Sequence, residues 1–483
     1  VPDAYAPPYK PRAKQAEALA RLEGQEAFAL FMAMRTGKTK VVLDDFGRLE
    51  LAGLCQDLCV VAPGGVYRTW LGAIAEHLSV DLRRRAKVFL WESGASAAKK
   101  RALAAFLADT TAPRILLINV ESLSSIKEAR EVILAFLKLR RSMLAIDESV
   151  IIKNPSSQRT KFINGHVAQH ADYRRILSGL PDPKSPLDLY AQFEFLDWRF
   201  LGYRSFYAFR ARYAVMRQQV FGGRAVPIVT GFRDLEDLRA KMAPHVFRCL
   251  LEDCYDLPPK MYSYRDVELT KEQERLYAEM KAFATTKLSS SESYVTATVV
   301  IAQILRMHQI LCGHVRDEEG NWHEIPENRT AALVDLLSDF DGKAIIWCAY
   351  GADIHRISAK LREAFGGDSV AQFWGGNVNE REAEERRFKT EAACRWMVAT
   401  ASAGGRGREW SVASMVVYYS NTDNLDFRTQ SEERTQKVGR ADSVLYVDLR
   451  APGTIEGKFI SNLRKKIDLS ATVHGDGWRE WLE

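Results

Sequence analysis

Short apolar runs recur along two stretches of the chain, separated by longer mixed segments. In the first stretch they are Phe28 to Met32, Leu58 to Ala62, Val88 to Leu90, Ile115 to Ile118, Met143 to Ile146 and Ile176-Leu177. In the second they are Ala344 to Trp347, Val370 to Phe373, Met397 to Ala399, Met415 to Tyr418 and Val444 to Leu449. Runs without polar alternation read as strands buried on both faces. Alternation with helical segments makes each set a parallel sheet covered by helices. The region between is more helical and carries a polar tract, Lys287 to Ser293, that reads as a loop; Asp317 to Asn321 reads as a turn. The expected architecture is therefore α/β: two parallel-sheet domains at 1–197 and 336–483, with a helical insertion and linker at 198–335.

Composition adds bounds. The chain has 483 residues, 47% hydrophobic and 27% charged, enough to build sizeable cores. No apolar run approaches the roughly 18 residues of a membrane span, and the first residues lack the basic start and apolar stretch of a secretory leader. The seven cysteines, at 55, 59, 249, 254, 312, 348 and 394, lack zinc-site spacing and are too sparse for a disulfide framework, which fits a reducing cytoplasm. A net charge of +6 permits a polyanionic partner without demanding one. Its distribution says more: from Trp198 to Arg233 there are seven arginines, Arg204, Arg210, Arg212 and Arg217 among them, and no acid. Aromatics interleave them. Arginines can neutralise phosphates while aromatics stack on bases; equally, the tract can be an amphipathic helix with aromatics in the core and arginines in solvent.

Candidate chemistry sits at the ends of the apolar runs. Met32 to Thr39 contains a Gly-Lys-Thr turn that opens a helix directly after a strand. Arg35, Thr36 and Gly37 would lend backbone N–H groups to phosphate, Lys38 would reach the β- and γ-phosphates, and Thr39 would ligate Mg²⁺. Arg35 stands where such loops carry a glycine. Met143 to Glu148 delivers two acids at a strand end: Asp147 to hold the metal, Glu148 to orient or deprotonate the attacking water. In the second stretch, Gln430 to Arg440 groups Arg434, Lys437 and Arg440. These read either as a solvated basic face or as a cation that reaches the γ-phosphate when two domains close.

Taken in order, these segments resemble the Swi/Snf-type ATPases of helicase superfamily 2. Tyr9 to Gln15 is similar to the family's opening Gln motif, 32–39 to motif I, and Val61-Ala62-Pro63 to Trp70 to motif Ia. Asp147-Glu148-Ser149-Val150 followed by Ile152-Lys153-Asn154-Pro155 resembles DEAH and LKN, and Leu177-Ser178-Gly179-Leu180-Pro181 resembles motif III. Leu257-Pro258-Pro259-Lys260 resembles the LPPK junction, Ala403-Gly404-Gly405-Arg406-Gly407 motif V, 430–440 motif VI, and Gly453-Thr454-Ile455-Glu456 the GTIE tail. Val150, Leu180 and Lys437 depart from the family's His, Thr and Arg.

The resemblance implies that the two parallel-sheet domains are RecA-like and that the chain is an ATP- and Mg²⁺-using, DNA-stimulated ATPase that tracks along double-stranded DNA by alternating closure of its two sheets. It implies that Gln15, Gly405 and Gly407 serve the nucleotide, and that Pro63, Trp70, Ser178, Gly179, Ala403 and Gly404 meet DNA phosphates. The compact size is similar to stand-alone bacterial or phage members, acting as monomers in the cytoplasm. Two other readings stand beside it: a strand-separating or branch-migrating helicase with the 198–233 aromatics as wedge, and a nucleotide-gated DNA-binding module with weak hydrolysis.

Overall fold

The computed structural model describes residues 5–94, 96–221, 224–289, 297–316, 321–400, 403, 409–422, 424–436 and 442–474. The chain forms two compact units. The first takes residues up to 215, then 231–256, and 469–474 from the last helix; the second takes 216–230 and 257–468.

The first unit is built on a seven-stranded, all-parallel sheet. Its strands are β1 (Ala27–Met32), β2 (Asp57–Ala62), β3 (Lys87–Leu90), β4 (Arg114–Asn119), β5 (Ser142–Asp147) and β6 (Tyr173–Leu177). A hairpin of β7 (Ala214–Phe221) and β8 (Arg224–Phe232) precedes its last strand, β9 (Val246–Cys249). The order is β3-β4-β2-β5-β6-β1-β9. Every residue of β1, β2 and β5 is buried. Successive side chains enter opposite cores: Ala29, Phe31, Cys59 and Val61 pack on one face, Phe28, Leu30, Leu58 and Val60 on the other. That two-residue period under helices on both sides is why these strands read as unbroken apolar runs.

The second unit repeats the plan with β10 (Met261–Asp266), β13 (Ala344–Cys348), β14 (Val370–Phe373), β15 (Trp396–Thr400), β16 (Met415–Tyr418) and β17 (Leu445–Arg450), all parallel in the order β10-β17-β16-β13-β15-β14. A small antiparallel ribbon, β11 (His314–Arg316) with β12 (Trp322–Glu324), lies between β10 and β13 in sequence.

The segment 198–335 is not a purely helical insertion. It contains the helices Phe206–Tyr213, Leu235–Met242, Lys271–Ser289 and Ala297–Leu311, but β9 and β10 add a strand to each main sheet. The arginine-aromatic tract is helical only to Tyr213 and then becomes the hairpin, where Val215, Val220, Val226, Ile228, Val229 and Thr230 favour extended backbone. The polar tract begins inside a helix that continues to Ser289; residues 290–296 and 317–320 lie outside the described residues. Among the described residues no helix is long and apolar enough to cross a membrane.

Candidate active site

In parallel strands all carboxyl ends lie on one edge, and β2, β5, β6 and β1 are consecutive neighbours. Their exits therefore converge: Pro63 after β2, Asp147-Glu148 at β5, Ser178-Gly179 after β6, and Ala33 to Lys38 after β1. Ligands of open α/β sheets bind at such an edge.

The loop after β1 turns into the helix Lys38–Leu51 through two left-handed residues. Gly37 has φ +92°, and a Cβ there would lie 2.1 Å from Gln15 Nε2, so only glycine fits. Arg35, at the position of the expected glycine, adopts φ 65° despite its side chain, at a cost of about 1 kcal/mol. Buried Gln15 donates through Nε2 to Thr36 O at 3.0 Å, and its Oε1 accepts from Arg12 N–H at 3.0 Å. Thr36 Oγ1 donates to Ala33 O at 2.7 Å. Lys38 is buried, its ammonium donating to Met32 O at 2.7 Å and Ala33 O at 3.2 Å. Lys38 thus opens its helix with its ammonium held by the carbonyls at the end of β1, and a helix N-terminus with a lysine beside it suits phosphate.

Asp147 is oriented from both sides. Its Oδ2 accepts from Trp70 Nε1 at 2.9 Å and its Oδ1 from Glu148 N–H at 2.9 Å. Each oxygen keeps a lone pair. That suits a magnesium ion, which is held by one or two protein oxygens and substrate phosphates, not by an all-protein cage. Glu148 takes φ 52°, the second non-glycine left-handed residue at this edge.

Trp70 and Ser178, expected at the DNA face, need correction. Trp70 is 1% exposed and positions Asp147; an indole enclosed on that carboxylate has no face for DNA. Ser178 is fully buried, its N–H donating to Leu30 O at 3.2 Å beside the β1 loop. Gly179 lies against that loop, with space for a Cβ ending 3.6 Å from Met34 N. Pro63 is partly exposed and starts the turn into the helix Thr69–His77.

The sequence reading missed Gln192, fully buried on the helix Leu189–Leu201. Ser149 Oγ donates to its Oε1 at 2.6 Å, and its Nε2 donates to Pro181 O at 2.7 Å and Asp188 O at 2.8 Å. This amide joins the end of the Asp147-Glu148 segment to the turn after β6. Asp182, in the same turn, receives Ser470 Oγ at 2.8 Å and lies 3.0 Å from His474 Nε2. Burial raises its pKa, but the His474 charge and these hydrogen bonds outweigh burial and hold the carboxyl below its usual range.

In the second unit the helix Leu425–Glu433 ends just before Arg434. Arg434, expected as a phosphate-directed cation, is 4% exposed, with its guanidinium 5.4 Å from the Trp410 ring and 5.8 Å from that of Trp347. Packing over two indoles encloses the charge within this unit. Ala403, expected at DNA, is a half-buried turn residue that packs against the core of this unit and donates its N–H to Thr400 O at 3.2 Å; Gly404, Gly405, Gly407, Lys437 and Arg440 lie outside the described residues.

In the arginine-aromatic tract, Phe209 and Tyr213 are core and Arg212 pairs with Asp234 at 3.1 Å. Arg204 and Arg217 are exposed, Arg204 lying 4.2 Å from the Trp198 ring. Tyr207 is 70% exposed, with the half-buried Arg210 5.1 Å from its ring.

Two family descriptions match the chain: "SNF2-related domain" over residues 21–316 and "Helicase conserved C-terminal domain" over 328–442. Among curated proteins, the "TATA-binding protein-associated factor mot1" of Aspergillus fumigatus is 24% identical over 374 residues, covering 68% of this chain and 20% of that protein. The "Putative ATP-dependent helicase/translocase YwqA" of Bacillus subtilis is 21% identical over 349 residues, covering 69% and 36%. The chain thus matches about a fifth to a third of these relatives' length. Among solved structures, the "Sulfolobus solfataricus SWI2/SNF2 ATPase core in complex with dsDNA" is 17% identical with a TM-score of 0.42, covering 98% of this chain and 95% of that one.

Proposed function

The chain belongs to the SNF2-related family, and on that premise we propose that it is an ATP-hydrolysing motor that moves along double-stranded DNA. The observation that carries this reading is the convergence at one sheet edge of the Lys38 loop, the oriented Asp147-Glu148 pair and the turn after β6. Lys38 and the N-terminus of its helix would bind the β- and γ-phosphates of ATP. Thr39 and Asp147 are the residues that would hold Mg²⁺, which when bound neutralises triphosphate charge. Glu148 would take the proton of the attacking water. With Arg434 enclosed, Lys437 and Arg440 remain the proposed transition-state cations.

Nucleotide state would reach the turn after β6 through the Ser149–Gln192–Pro181 chain. Gln192→Leu keeps the side chain's size but leaves Pro181 O and Ser149 Oγ without their partner, a cost of about 1–3 kcal/mol. The expected result is a DNA stimulation ratio at least about fivefold lower while basal turnover holds within about twofold. Equal loss of both rates would assign Gln192 to folding alone.

A strand-separating activity is the second reading, favoured by exposed Tyr207 beside Arg210. ATP hydrolysis measured with duplex, single-stranded, forked and four-way DNA, and with RNA, separates the two. Stimulation by plain duplex without strand displacement supports translocation. Fork dependence with displacement supports the second reading. No stimulation by any nucleic acid overturns both.

A further inference from the structure

The turn after β9 carries two thiols that the site does not use. Cys249, the last residue of β9, is fully buried; Cys254 is partly exposed. Their Sγ atoms lie 3.2 Å apart. The residues between close a tight turn, with Leu250 N–H donating to Asp253 Oδ2 at 2.7 Å and Cys254 N–H to Leu251 O at 3.1 Å. This turn is tied to the Lys38 loop on both sides. Cys249 pairs in register with Met32, and its carbonyl accepts from Ala33 N–H at 2.8 Å. The next residue after Cys254, Tyr255, donates through its hydroxyl to Arg35 O at 3.4 Å and accepts from Arg12, whose backbone N–H donates to Gln15.

We propose that Cys249 and Cys254 form a dithiol site oxidised by hydroperoxides, and that the resulting disulfide weakens nucleotide binding at the Lys38 loop. The second half rests on the reading of that loop as the ATP site. Cys254, the accessible partner, attacks the peroxide as thiolate; the O–O bond breaks, hydroxide or alkoxide leaves, and Cys254 becomes a sulfenic acid. The Cys249 sulfur then displaces its hydroxyl as water, forming the S–S bond. Two thiols lose two electrons, and the hydroperoxide is reduced to water or an alcohol and water. Burial pushes the Cys249 thiol up, which suits the resolving role over the attacking one. Closing from 3.2 Å to a bond of about 2.05 Å moves the turn by about 1 Å. Tyr255 passes that movement to Arg35, whose left-handed backbone has little latitude.

The test treats the full chain with equimolar hydrogen peroxide, then reads thiol state by peptide mass and ATP affinity by titration. The expected result is a peptide holding both residues that is lighter by two hydrogens, reversed by dithiothreitol. ATP affinity falls about fivefold on oxidation and recovers on reduction. Cys254→Ser keeps the reduced chain's affinity and removes the peroxide response; Cys249→Ala repeats this from the buried side. Overoxidised Cys254 or only intermolecular disulfides overturn the dithiol assignment. A bridge with unchanged ATP affinity overturns the proposed effect. A reduced chain that binds no ATP overturns the nucleotide reading instead, while bridge formation still decides the dithiol.

Discussion

Lys38→Ala and Glu148→Gln each lower DNA-stimulated ATP turnover by about a hundredfold or more, while duplex DNA affinity stays within about threefold. The two variants act on different quantities. Lys38 supplies the only buried ammonium aimed at the carbonyls of the 32–33 turn among the described residues. Removing it takes a full charge from a helix N-terminus built for phosphate, so ATP affinity falls with turnover. Glu148→Gln keeps shape and removes the proton acceptor, a loss typically of about 10²–10⁴-fold, so turnover falls while ATP affinity holds. Neither residue lies among the exposed arginines that would meet phosphates, which is why DNA binding persists. Turnover left intact in both variants would remove the site from this sheet edge.

The legible part of the fold was the part where burial is total. Strands β1, β2, β5, β13, β15 and β16 are enclosed on both faces, so their interiors are apolar and polar residues such as Asp57, Ser142, Asp147 and Thr400 fall only at their ends. The edge strands β9 and β10 went unread because Val-Phe-Arg-Cys and Met-Tyr-Ser-Tyr-Arg-Asp mix polarity, as half-exposed strands do. The loop and the acidic pair were legible because phosphate chemistry fixes residue type and spacing together. Trp70 and Arg434 show where motif matching ends: a motif assigns residue type but not the direction of a side chain, and both turn inward here. Gln192 left no signal, since one amide on an apolar helix looks like an ordinary interruption until Ser149 and Pro181 are seen to converge on it.

Glu456→Gln destabilises the second unit by about 3–5 kcal/mol, the cost of leaving one partner of a buried ion pair uncompensated. Glu456 and Arg329 are both buried and joined by two hydrogen bonds, Nη1 to Oε1 at 2.8 Å and Nη2 to Oε2 at 2.6 Å. Ala451 N–H adds a third to Oε2 at 2.8 Å, and His308 Nε2 lies 3.5 Å from Oε1. Glu456 lies in the first turn of the last helix, Ile455–His474, and Arg329 begins the helix Arg329–Ser338, so the pair pins two helices that no β ladder connects. Burial alone would raise the carboxyl, but the Arg329 charge and the His308 and Arg329 hydrogen bonds outweigh it and hold the pKa at about 2, against an ordinary 4.5. A depressed folded pKa stabilises above the unfolded value. The contribution is therefore complete at neutral pH and is lost as pH falls from about 4.5 towards 2. Thermal unfolding between pH 7 and 2.5 should show the second unit losing stability steeply below pH 4.5 in the parent chain and less steeply in Glu456→Gln, which starts lower. Arg329→Met with Glu456→Met should recover part of the loss, because an apolar pair carries no desolvation cost. Parallel acid profiles in parent and Glu456→Gln chains would show that this carboxylate does not control the acid stability of the second unit.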